Sequence, residues 1–506
     1  MPQPGPARSS RGPATERMWW EVTRLSTGQA DLDLVLGGGF ERGSMVVLSG
    51  PPGAGKTILA QQICFAAANA DHKAVYYTTW SEPHSKLVEH LREFTFFAPE
   101  RLGPQVEYVH LGNLLRDSAG NDLSPMIDEV IRKAFDDRPA VVAIDSTKML
   151  RDFVSEHDMR MSLYDLGSKV AHSGAVLLLL GEYTSEEEQT GAEFTLADAI
   201  MQLSYRPREP VDRRGLRVVK MRGTGHLQGT HTVHITRDGL RVYPRIESML
   251  PEEVAPQQER ISTGISGLDA LLGGGVPRGD ATLVFGPSGV GKTIGSLHFV
   301  ADGLARDERC LYISFQDTAE ELIGIADRLG WDFTAAREAG KLTISHVPVG
   351  NLDLDGLSSV ARHQLAEAGT TRIVIDSLAE MAFTAREAER FPAYLRSLLG
   401  LIRTAGASLW VTSETRTIGP MEEPLAGLMF LFHNVIQIRY IELCSEIGRA
   451  VNILKMRNSG HDSALHTYHV TDTGAAVGDK IENVTGLLGW SALRHCPPTS
   501  PRDDGN

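Results

Sequence analysis

Residues 26 to 57 read STGQADLDLVLGGGFERGSMVVLSGPPGAGKT, and residues 262 to 293 read STGISGLDALLGGGVPRGDATLVFGPSGVGKT, a gapless correspondence at an offset of 236 residues. A repeat of that period is the size of a domain, so each copy has to bury its own core. The 506 residues are too many for one core and suit two. The duplication therefore constrains any reading of this chain: whatever one copy folds into, the other must fold into as well.

Around the end of each repeat a β-rich apolar run leads through a Gly-rich turn into a helix-forming run, MVVLSG then PPGAGK then TILAQQICFAAANA in the first copy. Further apolar runs recur in matched pairs: AVYYTTW (74–80) with CLYISF (310–315), PAVVAID (139–145) with RIVID (372–376), and GAVLLLL (174–180) with ASLWVTS (407–413). Nearly continuous apolar strands separated by helical stretches such as SKLVEHLREF and EELIGIADRLG are what a sheet covered on both faces requires. The expected fold is α/β, two tandem duplicated domains with mainly parallel central sheets. The expected boundaries are a disordered tail over 1–17, a first domain over 18–246, a linker over 247–260, a second domain over 261–485 and a flexible tail over 486–506.

A net charge of −14 argues against broad adhesion to nucleic acid or anionic lipid, which draws on clustered Lys and Arg. The four cysteines, Cys64, Cys310, Cys444 and Cys496, show no metal or disulfide spacing, so a reducing cytoplasm is the expected setting. Apolar runs such as AVLLLL are strand-sized, and no membrane span is expected.

Gly50-Pro51-Pro52-Gly53-Ala54-Gly55-Lys56-Thr57 and Gly286-Pro287-Ser288-Gly289-Val290-Gly291-Lys292-Thr293 both satisfy the phosphate-loop pattern in a strand-to-helix context. The glycines let backbone N–H groups converge on a phosphate, Lys56 and Lys292 reach the β- and γ-phosphates, and the Thr57 and Thr293 hydroxyls ligate Mg²⁺. Ile58 and Ile294 follow in the first helical turn and belong to the same binding segments. The expected ligands are ATP and Mg²⁺. Asp145 and Asp376, each closing a buried strand, are the expected carboxylates on the magnesium side.

Hydrolysis needs a group that orients or deprotonates water, and the end of the strand after the loop's helix is where it should stand. The first copy offers Glu82 there and the second offers Gln316 and Asp317, so the two sites are chemically unequal. The blander alternative is that Glu82 merely opens the helix that follows, with Ser81 as its cap.

Another matched pair, VVKMRGTGH (218–226) and ILKMRNSGH (453–461), closes each domain. On a strand, Lys220 with Arg222 and Lys455 with Arg457 point the same way, while Met221 and Met456 turn inward. Such a cation pair suits the γ-phosphate of a neighbouring subunit, in the manner of an arginine finger; an edge strand guarded by charge would carry the same residues.

With these residues in place the chain resembles the KaiC family, RecA-like ATPases that include the cyanobacterial circadian clock protein. The resemblance runs over roughly residues 18 to 485, through the STG…LD…LGGG runs, the paired loops, KMR-x-x-x-H in both halves and the block SEIGRAVNILKMRNSGHD. It implies two RecA-like P-loop domains stacked as two rings in a homohexamer, with ATP between protomers. Lys220, Met221, Arg222 and His226, with Lys455, Met456, Arg457 and His461, would be contacts to nucleotide across the subunit interface. Partners would be the chain itself and regulatory proteins such as KaiB-like proteins or a kinase.

Two departures stand out. Clock members place adjacent glutamates where this chain has Ser81-Glu82 and Gln316-Asp317, and an acceptor Ser-Thr pair where a gapless count puts Met429-Phe430, with Pro424 at a further acceptor threonine. Neither Met nor Phe accepts a phosphoryl group, although Thr412, Ser413, Thr415 and Thr417 lie upstream. The expectation is a slow, ring-forming ATPase with signalling output, hydrolysing mainly through Glu82 in the first domain. An ATP-assembled scaffold and, less favoured by the acidic balance, a DNA-dependent ATPase are the competing classes.

Overall fold

The computed structural model describes residues 24–79, 84–112, 123–207, 212–249, 257–348, 353–385, 389–415, 427–443, 446–457, 459–482, 484–485 and 493–494. These fall into two compact units, with the break between Pro244 and Arg245. The chain enters the second unit early: Ile246 packs in that unit's core, and Glu247 accepts from Arg390 Nη2 at 2.9 Å.

In the first unit nine strands form one sheet, in the order Gly239–Tyr243, Thr230–Thr236, Arg213–Met221, Ala199–Arg206, Met45–Ser49, Val176–Gly181, Val141–Asp145, Ala74–Thr78 and Val106–His110. From Ala199–Arg206 onward every neighbouring pair is parallel, and the three pairs before it are antiparallel. The second unit repeats this order from the other edge: Leu342–His346, Cys310–Ser314, Arg372–Asp376, Ser408–Glu414, Ala281–Gly286, Asn434–Leu443, Glu446–Met456, His466–Thr471 and Gly474–Lys480. Val484–Thr485 and Leu493–Arg494 join it beside Asn434–Leu443.

The strands Met45–Ser49 and Ala74–Thr78 are buried at every residue, which is why they carry apolar runs without alternation. Helices Lys56–Ala67 and Lys292–Ala305 are likewise buried along most of their length, because each lies against the sheet directly behind its phosphate loop. Among the described residues no helix is long and apolar enough to cross a membrane.

The repeated STG…LD run is a structural clasp. Asp33 Oδ1 accepts from the Thr27 backbone N–H at 2.8 Å and the Thr27 hydroxyl at 2.7 Å, and Asp269 accepts from Thr263 at 2.9 and 2.7 Å. The third glycine of each LGGG turn has to be glycine. Gly39 and Gly275 have φ of 97° and 102°, and a Cβ would stand 2.3 and 2.2 Å from the carbonyl oxygens of Leu25 and Ile261.

One element departs from the repeat. By strand register Arg372 takes the place that Val141 has in the first unit. Its guanidinium is fully buried, bonded to Asp302 Oδ2 (2.8 Å), Glu308 Oε2 (2.5 Å) and the carbonyls of Ser262 (3.0 Å) and Phe299 (2.9 Å). Truncating one partner of a buried ion network leaves the others desolvated without compensation. Arg372→Ala should therefore destabilise the second unit by about 3–5 kcal/mol, read as an earlier second-unit transition in denaturant titration of the full chain.

Candidate functional site

Both phosphate loops sit where the parallel strands end. Gly55 and Gly291 precede the helices Lys56–Ala67 and Lys292–Ala305 with φ of 102° and 106°, and neither helix start has a side-chain cap. The first-turn N–H groups are thus directed at the loop, and with the helix dipole they favour an anion there. Ala54 and Val290, both fully buried, pin the loops to the cores, and Ile58 and Ile294 pack half-buried beside them. Gly50 and Gly286 pass close under neighbouring backbone: a Cβ would come 2.5 Å from Leu203 O and 2.0 Å from Ile438 O. A side chain on Gly53 would meet nothing within 4 Å, but its φ of 73° favours glycine; Gly289 has φ of 74°.

Lys56 Nζ donates to Gly50 O at 2.8 Å and Pro51 O at 3.0 Å, and pairs with Glu182 Oε1 at 3.3 Å. Lys292 Nζ donates to Gly286 O at 3.0 Å and Pro287 O at 2.8 Å. Burial lowers the Lys292 pKa, opposed by the charges of Glu414, Asp376 and Glu380.

Asp145 closes the strand beside Ala74–Thr78, and Asp376 does the same in the second unit. Each gathers two hydroxyls. Asp145 Oδ2 accepts from Thr57 at 2.9 Å and from Tyr76 at 2.8 Å, and Asp376 Oδ2 accepts from Thr293 at 3.0 Å and from Tyr312 at 2.7 Å. The second copy adds Thr412, which donates to Asp376 Oδ1 from the register place of Leu180. The peptide after each aspartate, Asp145–Ser146 and Asp376–Ser377, is cis.

In the first unit these groups open onto a cleft of about 660 Å³, lined by the loop, Asp145, Glu182, Lys148, Arg151 and Glu187. Lys148 Nζ pairs with Glu187 at 3.1 Å, and Arg151 Nη2 pairs with the buried Glu193 at 2.9 Å. Thr184 donates its backbone N–H to Glu187 and holds that carboxyl down at about 2.

Glu82 lies outside the described residues, as do Ser81, Pro424 and Thr417. In the second unit Asp317 is half-buried, and burial followed by the Asp376 charge raises its pKa. The exposed Gln316 donates its side-chain amide to Glu380.

The KMR residues stand elsewhere. Met221 pairs with Ala199, which pairs with Val46 near the start of the phosphate-loop strand, whereas the loop leaves that strand after Ser49. In the second unit Met456 pairs with Asn434 and Asn434 with Thr282, again at the strand's N-terminal end. Lys220, Arg222, Lys455 and Arg457 thus lie across the sheet from their own loops.

The strands that carry these cations lie inside their sheets, but the outer pairing stops at Arg217 and at Val451, so the KMR segments themselves are paired on one side only. Lys220 Nζ donates to Phe194 O (3.3 Å) and Thr195 O (3.2 Å), and the exposed Arg222 pairs with Asp198 at 3.2 Å. Lys455 Nζ donates to Phe432 O at 2.7 Å and Arg457 Nη2 to Phe430 O at 2.6 Å. Met456 is buried and Met221 half-buried, as the alternation requires. His226 and His461 sit half-buried in the following turns, where Leu227 N bonds Val35 O and Asp462 N bonds Leu271 O, both at 2.9 Å.

Sequence reasoning missed Tyr76, Tyr312, Glu182, Glu414, Glu380, Lys148 and Arg151. Glu182 and Glu414 carried a usable signal, because each ends or follows the apolar strand next to the loop, in LLLLGE and LWVTSE. The tyrosines carried none, since a tyrosine inside a buried strand reads as core. The donor set fits a magnesium nucleoside triphosphate: a lysine, a threonine hydroxyl and a carboxylate converge at an uncapped helix start. Among the described residues no three His, Cys, Asp or Glu side chains cluster as a metal cage.

The family described as ATPase: KaiC matches this chain twice, over residues 25–247 and 261–482. Curated relatives match over nearly full length. A circadian clock oscillator protein KaiC of Picosynechococcus sp. is 24% identical over 485 residues, covering 94% of this chain and 93% of the relative. A circadian clock protein KaiC3 of Synechocystis sp. is 26% identical, covering 93% and 95%. A circadian clock oscillator protein KaiC of Rippkaea orientalis is 23% identical over 495 residues, covering 96% and 94%.

Removing the hydroxyl that links loop helix to strand-end carboxylate should uncouple nucleotide from metal. In titration calorimetry, Thr57→Val and Thr293→Val should each weaken ATP binding at the altered site about tenfold or more with Mg²⁺ present, a loss of at least about 1.4 kcal/mol. The same variants should bind almost normally in EDTA.

Proposed function

Because the chain belongs to the KaiC family of ATPases, with the family's domain present twice, we propose that it is a double-ring homohexamer that binds and hydrolyses ATP with Mg²⁺ between protomers. The observation that carries this reading is the register of the KMR strands. Lys220 with Arg222, and Lys455 with Arg457, lie at the end of the sheet opposite their own phosphate loops, too far to serve them. A head-to-tail ring brings one protomer's cation pair to the next protomer's loop, and closure of such heterologous contacts gives a cyclic oligomer. Lys56 and Thr57 then hold the phosphates from one side, and Lys220 and Arg222 meet the γ-phosphate from the other.

The first domain performs most of the hydrolysis, with Glu82 orienting or deprotonating the water. The second holds ATP mainly for assembly or regulation, since strand register corrects the sequence alignment by one residue and puts Thr318, not a carboxylate, at the place of Glu82, with Gln316 and Asp317 at those of Trp80 and Ser81. Autophosphorylation at the family's acceptor pair is unsupported, because Met429 and Phe430 have no hydroxyl. The output is regulatory, read by protein partners such as KaiB-like proteins or a kinase. That part rests on the relatives' names as clock proteins.

The test combines assembly with turnover. Mass in solution should rise from one chain to six on adding ATP and Mg²⁺. Glu82→Gln should remove most phosphate release, on the order of 10²-fold for loss of a general base. Arg222→Ala should assemble normally yet lose turnover, and mixing it with Lys56→Ala protein should restore part of the rate. A chain that stays monomeric with nucleotide, or mixed rings without rescue, would refute the ring. Radiolabelled ATP should leave no covalent label on the purified protein.

A further inference from the structure

Glu380 stands beside the second phosphate site without any signal in the repeat. It lies in the first turn of the helix Leu378–Thr384, four residues after Asp376, and the residue at that distance after Asp145 in the first copy is Met149. One of its carboxylate oxygens accepts from the Gln316 side-chain amide, and the other accepts from the Ser377 hydroxyl. Gln316 and Ser377 follow the strands Cys310–Ser314 and Arg372–Asp376, which run parallel to the loop strand Ala281–Gly286, so Glu380 stands at the end of the sheet where the second phosphate loop begins.

The second copy also differs in what precedes it. Strand register matches Ala74 with Cys310 and Thr78 with Ser314, so by count along the chain Gln316 and Asp317 take the places of Trp80 and Ser81, and Thr318 that of Glu82. An amide can hold a water by donating and accepting hydrogen bonds, but it cannot take the water's proton. A carboxylate bonded to that amide can. The first copy has no counterpart to this arrangement, because methionine at 149 offers no proton acceptor.

We propose that Glu380 is the proton acceptor for ATP hydrolysis in the second site, with Gln316 orienting the attacking water. In that step the water oxygen bonds to the γ-phosphorus while the bond to the bridging oxygen breaks, leaving its electron pair on ADP. The water's proton passes to Glu380 and from there to solvent, so ATP and water give ADP and phosphate. The inference rests on the reading of both loops as ATP sites. It adds to the division of labour that the second site turns its ATP over by its own chemistry instead of only storing it.

The experiment uses the full chain with two readouts, phosphate release and the identity of bound nucleotide after acid quench. In the Glu82→Gln background, which leaves the second site's share, adding Glu380→Gln should lower the residual rate by about 10²-fold. It should also leave ATP in place of ADP in the second site without reducing total bound nucleotide, and Glu380→Asp should recover part of the rate. In the otherwise unaltered chain, Glu380→Gln should lose the same share of release as Lys292→Ala, while only Lys292→Ala loses the second nucleotide. Equal residual rates and equal ADP content with and without Glu380 would overturn the proposal. So would a Glu82→Gln chain that fills its second site yet releases no phosphate. An unaltered chain that binds no nucleotide would instead overturn the ATPase reading itself.

Discussion

A single hydrogen bond per domain ties the chemistry of this chain to its fold: the threonine after the loop lysine donates to the aspartate that ends a buried strand, at 2.9 Å in the first unit and 3.0 Å in the second. The bond joins the start of the helix behind the loop to the edge of the sheet. A buried tyrosine hydroxyl on the neighbouring strand holds the same carboxylate oxygen from the far side. With both donors in place the carboxylate cannot swing away from the loop. Everything that would bind a triphosphate is then referenced to the sheet, which is the most rigid part of each unit.

Duplication preserved that frame and let its surroundings diverge. At the start of the loop strand, the first unit uses Asp198 to accept the Met45 backbone N–H at 3.0 Å, and the second uses His433 to accept that of Ala281 at 3.2 Å. Burial, reinforced by Arg403, Arg457 and Lys455, presses the His433 pKa down to about 4, so the ring stays neutral and able to accept. Beside it, burial lifts Asp280 to about 6 despite Arg403, the Asn434 hydrogen bond, Arg457 and Arg260, which lower it. Arg372 for Val141 and Thr412 for Leu180 go further and put polar for apolar. At Arg372 and Thr412 the second unit thus places polar groups in hydrogen-bonded networks where the first packs aliphatic side chains, and such networks demand complete pairing.

The apolar runs set the strands almost to the residue, because strands buried on both faces leave no alternation to misread. Asp145 and Asp376 were legible for the same reason, as charges ending such runs. Glu380 was not legible: a glutamate in the first turn of a helix is ordinary favourable chemistry with the helix dipole, and only its contact with Gln316 distinguishes it. Tyr76 and Tyr312 were hidden in the same way, since their hydroxyls matter only once the neighbouring strand places an aspartate beside them.

The sequence by itself determined that there are two phosphate loops, that each opens a helix behind a buried strand, and that a KMR run closes each domain. These are local facts, fixed by spacing along the chain and by what glycine, lysine and threonine can do. Only the tertiary structure decided at which end of the sheet each group lies. That follows from strand order and register, which pair Met221 with Ala199 and so carry the cations away from their own loop. Distance along the chain does not encode which end of a sheet a residue reaches, because every reversal of strand direction exchanges the two ends.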